Sequence, residues 1–270
     1  MKTKLEGVVL SKRPFDSHHI MATICLRNGK KVNVAFYGGR GGGKKNKPSV
    51  IELGYVLSIE VSRSQKNTEV YTAKEWKKVW GHEFIRKNHK AFYLLCFFLE
   101  TINQVLTEEN LSEASKYNDA HDEGYFRVLS NSIFYLERAS ESAVGDYSLY
   151  LVNFLAKLLH ELGIFPEIDR CLFSERALNP NEQVALVFES GGFAILETIK
   201  GQDIDIDYKR IKTASMLLSL LKEVRSQQTK ELELKKVEES ATKMLYDYFC
   251  YQTGIASSYI KSAPMVFQMS

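Results

Sequence analysis

The stretch that decides the fold is Ile20-Met21-Ala22-Thr23-Ile24-Cys25-Leu26, then Arg27-Asn28-Gly29-Lys30, then Lys31-Val32-Asn33-Val34-Ala35-Phe36-Tyr37. Asn-Gly supplies the positive φ angles of a tight hairpin turn. Val32, Val34 and Phe36 alternate with more polar neighbours, so one face of the hairpin is buried. Working outward, Lys4–Leu10 reads as a strand before it, and Val50–Arg63 and Glu69–Ala73 as strands after it. Pro14 falls between the first two strands, where it breaks no central ladder. Five strands in about 70 residues, joined by loops of uneven length, suit a five-stranded barrel of the OB type.

From about residue 75 the period changes. Ala91, Leu94, Leu95, Phe98, Ile102, Val105 and Leu106 predict a helix buried almost all round. Further helices are expected over 123–141, Tyr147–Leu162, 208–225 and 231–253, with Gly163 as the C-cap of the third. Residues 170–200 lose the helical period, and Ser190-Gly191-Gly192 between two apolar runs predicts a small hairpin. The fold class is therefore α+β: a barrel domain over 1–80 and a mostly α-helical domain over 81–270.

Charge separates the same two parts. Of the 36 Lys+Arg and 33 Asp+Glu, residues 1–90 carry 19 basic and 7 acidic, a net of +12, and the rest carries −9. A basic first third points to a polyanionic partner. The segment Gly38-Gly39-Arg40-Gly41-Gly42-Gly43-Lys44-Lys45 matches the GxxxxGK spacing of a phosphate loop, but Lys45 stands where a hydroxyl must meet Mg²⁺. Asn46-Lys47-Pro48 then turns instead of opening a helix, so the cradle of N–H donors is missing. This argues against nucleotide hydrolysis, the reading of a nucleotide-dependent enzyme using this loop, and favours a glycine-rich basic arm. The expected DNA contacts are Lys12, Arg13, Arg27, Lys30, Lys31, Arg40, Lys44, Lys45, Lys47, Arg63 and Lys66 on phosphates, with Phe15 and Tyr37 as stacking platforms.

Other chemistry is poorly supported. The four cysteines Cys25, Cys96, Cys171 and Cys250 form no CxxC pair, and His18-His19 lack partners at ligand spacing. Asp203-x-Asp205-x-Asp207 starts like a calcium loop, but Tyr208 replaces its glycine and Ala214 its last carboxylate. No nucleophile elbow or carboxylate pair stands out, so the expectation is a binding protein and no enzyme. No apolar run approaches membrane-spanning length, and a soluble, cytoplasmic, nucleoid-associated protein is expected.

Three stretches carry a family resemblance. Glu6-Gly7-Val8-Val9-Leu10-Ser11-Lys12-Arg13-Pro14-Phe15, with Ser17 and Ile20, resembles the opening of the bacterial recombination mediator family RecO. Phe154-Leu155-Ala156-Lys157-Leu158-Leu159-His160-Glu161-Leu162-Gly163-Ile164-Phe165-Pro166, running into Asp169-Arg170-Cys171, resembles that family's central helix and the entry to its zinc module. Leu245-Tyr246-Asp247-Tyr248-Phe249 through Gly254 to Lys261-Ser262 is similar to its last helix and tail. The resemblance implies an N-terminal OB-fold, a helical domain and a zinc-finger-like insertion over 167–203. It also implies binding of single- and double-stranded DNA, strand annealing, and partnership with RecR in loading RecA onto DNA coated by single-strand-binding protein. A generic OB-fold binder of single-stranded DNA or RNA is the alternative.

The sequence departs from that family at the zinc module. Cys171 remains, its CxxC partner falls at Ser174, and Glu189–Leu196 offers no second pair. One thiolate cannot hold a tetrahedral zinc, so no metal and no cofactor are expected, with Leu186, Phe188, Phe193 and Ile195 holding the hairpin. The resemblance further implies capture of the C-terminal tail of single-strand-binding protein on the helical domain. Tyr150, Phe154, Lys157 and Leu158 are the residues expected there.

Overall fold

The computed structural model describes residues 3–15, 18–39, 50–63, 70–108, 124–142, 146–179, 182–199, 208–226 and 238–268. Within it, the deciding hairpin forms as its alternation requires. Strands β2 (Ile20–Leu26) and β3 (Lys31–Phe36) pair antiparallel from Cys25↔Lys31 to Ile20↔Phe36. Gly29, at φ 75°, takes the left-handed conformation that the tight turn demands. β1 (Thr3–Pro14) pairs with β2 and with β4 (Val56–Arg63), and β5 (Val70–Trp80) pairs with β4. The parallel pairing of β5 with β3 over Asn33–Ala35 closes the barrel in the order β1-β2-β3-β5-β4. That is a closed five-stranded OB-type barrel followed by helices. Phe36, Ile51, Leu57 and Ile59 are fully buried in its centre, each contributing roughly 1.5–3 kcal/mol by leaving water.

Three strand limits differ from the sequence reading. β1 runs on to Pro14, which pairs with Ile20 at the strand end, where a missing N–H costs little. β4 starts at Val56, not at Val50. Gly54 at φ 75° turns the chain there, and its N–H donates to the Val9 carbonyl while the Val9 N–H donates to the Tyr55 carbonyl. β5 continues past Ala73 to Trp80. Its second half is rich in Lys and Glu, and the pairing with β3 has ended there, so an exposed edge tolerates charge that hides the strand period.

The structure divides into two compact units, residues 1–144 with 259–266, and residues 145–258 with 267–270. In the first, helix α1 (His89–Val105) is capped by Asn88, whose side chain accepts from the Ala91 N–H at 3.2 Å, and Leu94, Leu95, Phe97 and Phe98 are buried along it. Helix α2 (Gly124–Glu141) packs on α1. Its Glu137 reaches back to the 3₁₀ turn Ile85–Lys87, accepting from the N–H groups of Glu83 (2.6 Å), Phe84 (3.0 Å) and Ile85 (2.9 Å). Those are the unsatisfied donors of a helix start.

In the second unit, α3 (Ser148–Glu161) ends where Gly163, at φ 71°, donates to the His160 carbonyl and Ile164 to the Leu159 carbonyl. The glycine therefore acts as the C-cap that its position predicts. β6 (Val184–Val187) and β7 (Gly192–Ile195) form the small hairpin. Short α4 (Leu196–Ile199) follows, then α5 (Tyr208–Ser226) and α6 (Glu239–Thr253). Glu238 is extended at ψ 134° and α6 begins at Glu239, while residues 231–237 of the expected helix lie outside the described residues. A last short helix, α7, spans Ala263–Phe267.

Beneath the barrel's Gly54 turn lies a residue that the sequence reading did not single out. His82 is fully buried, donates from Nε2 to the Leu53 carbonyl at 2.8 Å, and leaves Nδ1 without a partner among the described residues. Burial lowers its pKa from 6.5, so the folded chain holds the ring neutral. The stability this confers is complete above about pH 6.5 and is lost as pH falls through the lowered folded value. The melting temperature should fall between pH 7 and pH 5, and His82→Gln, which keeps a donor for Leu53, should flatten that fall. Parallel pH profiles for the two proteins would exclude His82 as its source.

Candidate nucleic-acid interface

One end of the barrel gathers exposed aromatic rings and a cation. Pairing of Pro14 with Ile20 and of Ile20 with Phe36 brings the end of β1, the start of β2 and the end of β3 together. Phe15 and Tyr37 follow directly and are 51% and 50% exposed. Apolar rings are half in water here because no core lies beyond the strand ends. Their rings meet edge to face at 6.5 Å, and His19 meets Tyr37 at 4.7 Å. The corner is fixed by backbone bonds: Phe15 donates to the His19 carbonyl (3.1 Å) and Gly38 to His19 Nδ1 (3.1 Å). Exposed Arg13 pairs with Met21 at the same end.

The described residues on either side of the glycine-rich segment meet at this corner. A Cβ on Gly39 would lie 2.8 Å from Ile51 Cδ1 and 2.9 Å from Phe36 Cβ. Gly39 and Ile51, which flank residues 40–49, therefore touch, and only glycine allows it. Arg40, Lys44, Lys45, Lys47 and Lys66 lie outside the described residues, and of Arg63 the backbone alone is described, paired with Tyr71.

The remaining expected contacts are already engaged. Lys12 pairs with Glu52 and donates to the Ile51 carbonyl at 3.2 Å, and Glu52 also holds Arg86 at 2.9 Å. At the far end of the hairpin, Arg27 pairs with Glu6 (2.6 Å) and lies 5.1 Å from the Phe126 ring centre of α2. Lys31 donates to the Asn103 carbonyl at the end of α1 (2.6 Å), where the helix dipole favours a cation. Burial lowers the Lys31 pKa, which Glu108 partly offsets. Arg27 and Lys31 thus join barrel to helices, about 20 Å of strand away from Phe15 and Tyr37. Lys30 is exposed in the turn between them, its N–H donating to Asn28 Oδ1 at 3.2 Å.

No family model matches the chain. Curated relatives do. The DNA repair protein RecO of Prosthecochloris aestuarii is 25% identical over 202 residues, spanning 72% of this chain and 70% of its own. RecO of Caldanaerobacter subterraneus subsp. tengcongensis is 25% identical over 219 residues, spanning 81% and 80%. RecO of a Thermoanaerobacter species is 22% identical over 169 residues, spanning 63% and 61%. Over most of its length the chain is thus similar to RecO proteins.

Where the RecO resemblance implies a zinc module, the chain folds a tight turn over Arg170–Ala177 beside the β6–β7 hairpin. Buried Cys171 accepts from the Ile195 N–H at 3.3 Å and faces the Thr198 hydroxyl at 3.4 Å. Burial raises the thiol's pKa, but hydrogen bonds from Ser174, Thr198 and the Ile195 and Phe173 backbone outweigh it and bring it to about 6. The sulfur thus gathers donors from the turn, β7 and α4. Among the described residues no three His, Cys, Asp or Glu side chains gather at metal-ligand spacing. Phe193 and Ile195 are buried, and Phe188 packs edge to face on Tyr248 of α6 at 5.5 Å, while Leu186 is half-buried.

The four residues expected to capture a protein tail separate on α3. Phe154 and Leu158 are fully buried, Tyr150 is half-buried, and Lys157 is exposed. Helical periodicity marked that helix as apolar without telling which apolar residues face a partner and which the core. Among the described residues no helix is long and apolar enough to cross a membrane.

Proposed function

We propose that this chain is a DNA-binding recombination mediator of the RecO kind, working by stoichiometric binding and not as an enzyme. The observation that carries this reading is the exposed Phe15–Tyr37 pair beside Arg13, at the mouth of a closed OB-type barrel. Rings of this kind stack on bases irrespective of sequence, and cations around them neutralise phosphates. Arg40, Lys44, Lys45 and Lys47, outside the described residues, follow Gly39 of that corner in the sequence and are the further cations this reading assigns to DNA. In this reading the barrel takes single- and double-stranded DNA, while the helical units meet RecR and the C-terminal tail of single-strand-binding protein. Complementary strands are held together until they pair, and RecA is helped onto the coated strand. No bond is made or broken in any step. The protein acts in the cytoplasm, on the nucleoid.

An annealing assay tests this directly. Complementary strands coated with single-strand-binding protein should pair faster when the chain is added. Tight binding with blocked pairing would instead mark a generic binder of single strands.

A further inference from the structure

At the base of the glycine-rich segment, three cations converge on one carboxylate and one ring. Glu52 Oε2 receives both Lys12 Nζ and Arg86, the latter at 2.9 Å. Arg86 and Lys78 lie 5.2 and 5.4 Å from the centre of the Tyr55 ring. That ring rests so closely on Gly81 that an added Cβ would meet it at 2.9 Å. The group is half in solvent: the side chains of Lys12, Glu52 and Arg86 are 31%, 23% and 40% exposed. Cation–ring contacts and the Ile51 carbonyl hold the three cations in place, so little freedom remains to be lost on binding.

Glu52 alone thus meets two cations, Lys12 and Arg86, with Lys78 over the Tyr55 ring beside them. A phosphodiester carries one negative charge and two free oxygens, the same demand that Glu52 meets. We propose that Glu52 is an internal stand-in for a nucleic-acid phosphate, seated on Lys12 and Arg86 beside Lys78 and Tyr55. This rests on the DNA-binding reading above. A bound strand leaving the Phe15–Tyr37 corner places a phosphate on Lys12 and Arg86 and displaces the carboxylate. Glu52 thereby weakens DNA binding, and lowers the number of counterions released, by competing for the same cations.

The test compares Glu52→Gln with Glu6→Gln in the full chain, using labelled oligothymidylate over a series of salt concentrations. Both variants remove one negative charge from an ion pair with an arginine, but Glu6 sits with Arg27 at the other end of the hairpin. Glu52→Gln should bind about fivefold tighter at low salt and steepen the log affinity against log salt slope by about 0.7. Glu6→Gln should stay within about twofold of the parent. Arg86→Gln gives a second reading should Glu52→Gln fail to fold, and it should weaken binding about threefold with a shallower slope. Unchanged or weaker binding by Glu52→Gln, an equal gain from Glu6→Gln, or unchanged binding by Arg86→Gln would each overturn the proposal. If the parent chain binds no DNA, the functional reading itself fails, whatever Glu52 does.

Discussion

Replacing Phe15 and Tyr37 together with Ala is expected to weaken binding of single-stranded DNA roughly 100-fold, about 2.7 kcal/mol, with the fold intact. Base–ring stacking contributes about 1–3 kcal/mol per base by alanine substitution, so two platforms suffice for that loss. The fold survives because each ring is half exposed and lies beyond the last core layer at Phe36 and Ile51. The thermal transition should therefore move by no more than the change usual for a surface substitution, about 0.5 kcal/mol. Leucine at both positions separates stacking from simple apolar contact, since it keeps bulk without a π-face. Equal affinity of the Ala and parent chains would remove this corner from the interface.

Glu137→Ala should act oppositely, on stability and not on DNA. Its carboxylate accepts three backbone N–H groups at the start of the 3₁₀ turn, and Ile85 among them is fully buried. Hydrogen bonds to a charged acceptor contribute about 1.5–3 kcal/mol, and stranded donors keep their desolvation cost. The expected loss is about 3 kcal/mol, a fall of roughly 6–12 °C in melting temperature. Glu137→Gln retains one acceptor oxygen and should fall between. Glu141→Ala, exposed on the same helix, is the matched control and should change little. Melting of Glu137→Ala within a degree of the parent would show that water satisfies those donors.

These two effects separate what a sequence displays from what it conceals. The barrel is legible because the Asn28-Gly29 turn and the alternation of Val32, Val34 and Phe36 are local signals. The corner is legible too, since Phe15 and Tyr37 adjoin strand ends. The second half of β5 is not, because charged residues on an open edge carry no apolar period. Glu137 and His82 are illegible for another reason. Their partners lie dozens of residues away in the chain, and only the packed fold brings Glu137 to Ile85 or His82 to Leu53. The same holds for Lys12, Glu52, Tyr55, Lys78 and Arg86, whose one signal in the sequence is the basic excess of the first 90 residues. Charge count also does not display that the fold engages Arg27 and Lys31 with Glu6, Phe126 and Asn103. Apolar pattern likewise grouped Phe154 and Leu158 with Lys157, though the first two are core.

The central claim is that this barrel end neutralises phosphates. The most direct measurement is the salt dependence of single-stranded DNA affinity for the parent chain and for a variant with Arg13, Arg40, Lys44, Lys45 and Lys47 all changed to Ala. Each phosphate contact contributes about 0.7 to the slope of log affinity against log salt on single strands. The account predicts weaker binding by the variant and a slope shallower by about 2–3. An unchanged slope would contradict it and move the phosphate path off this end of the barrel.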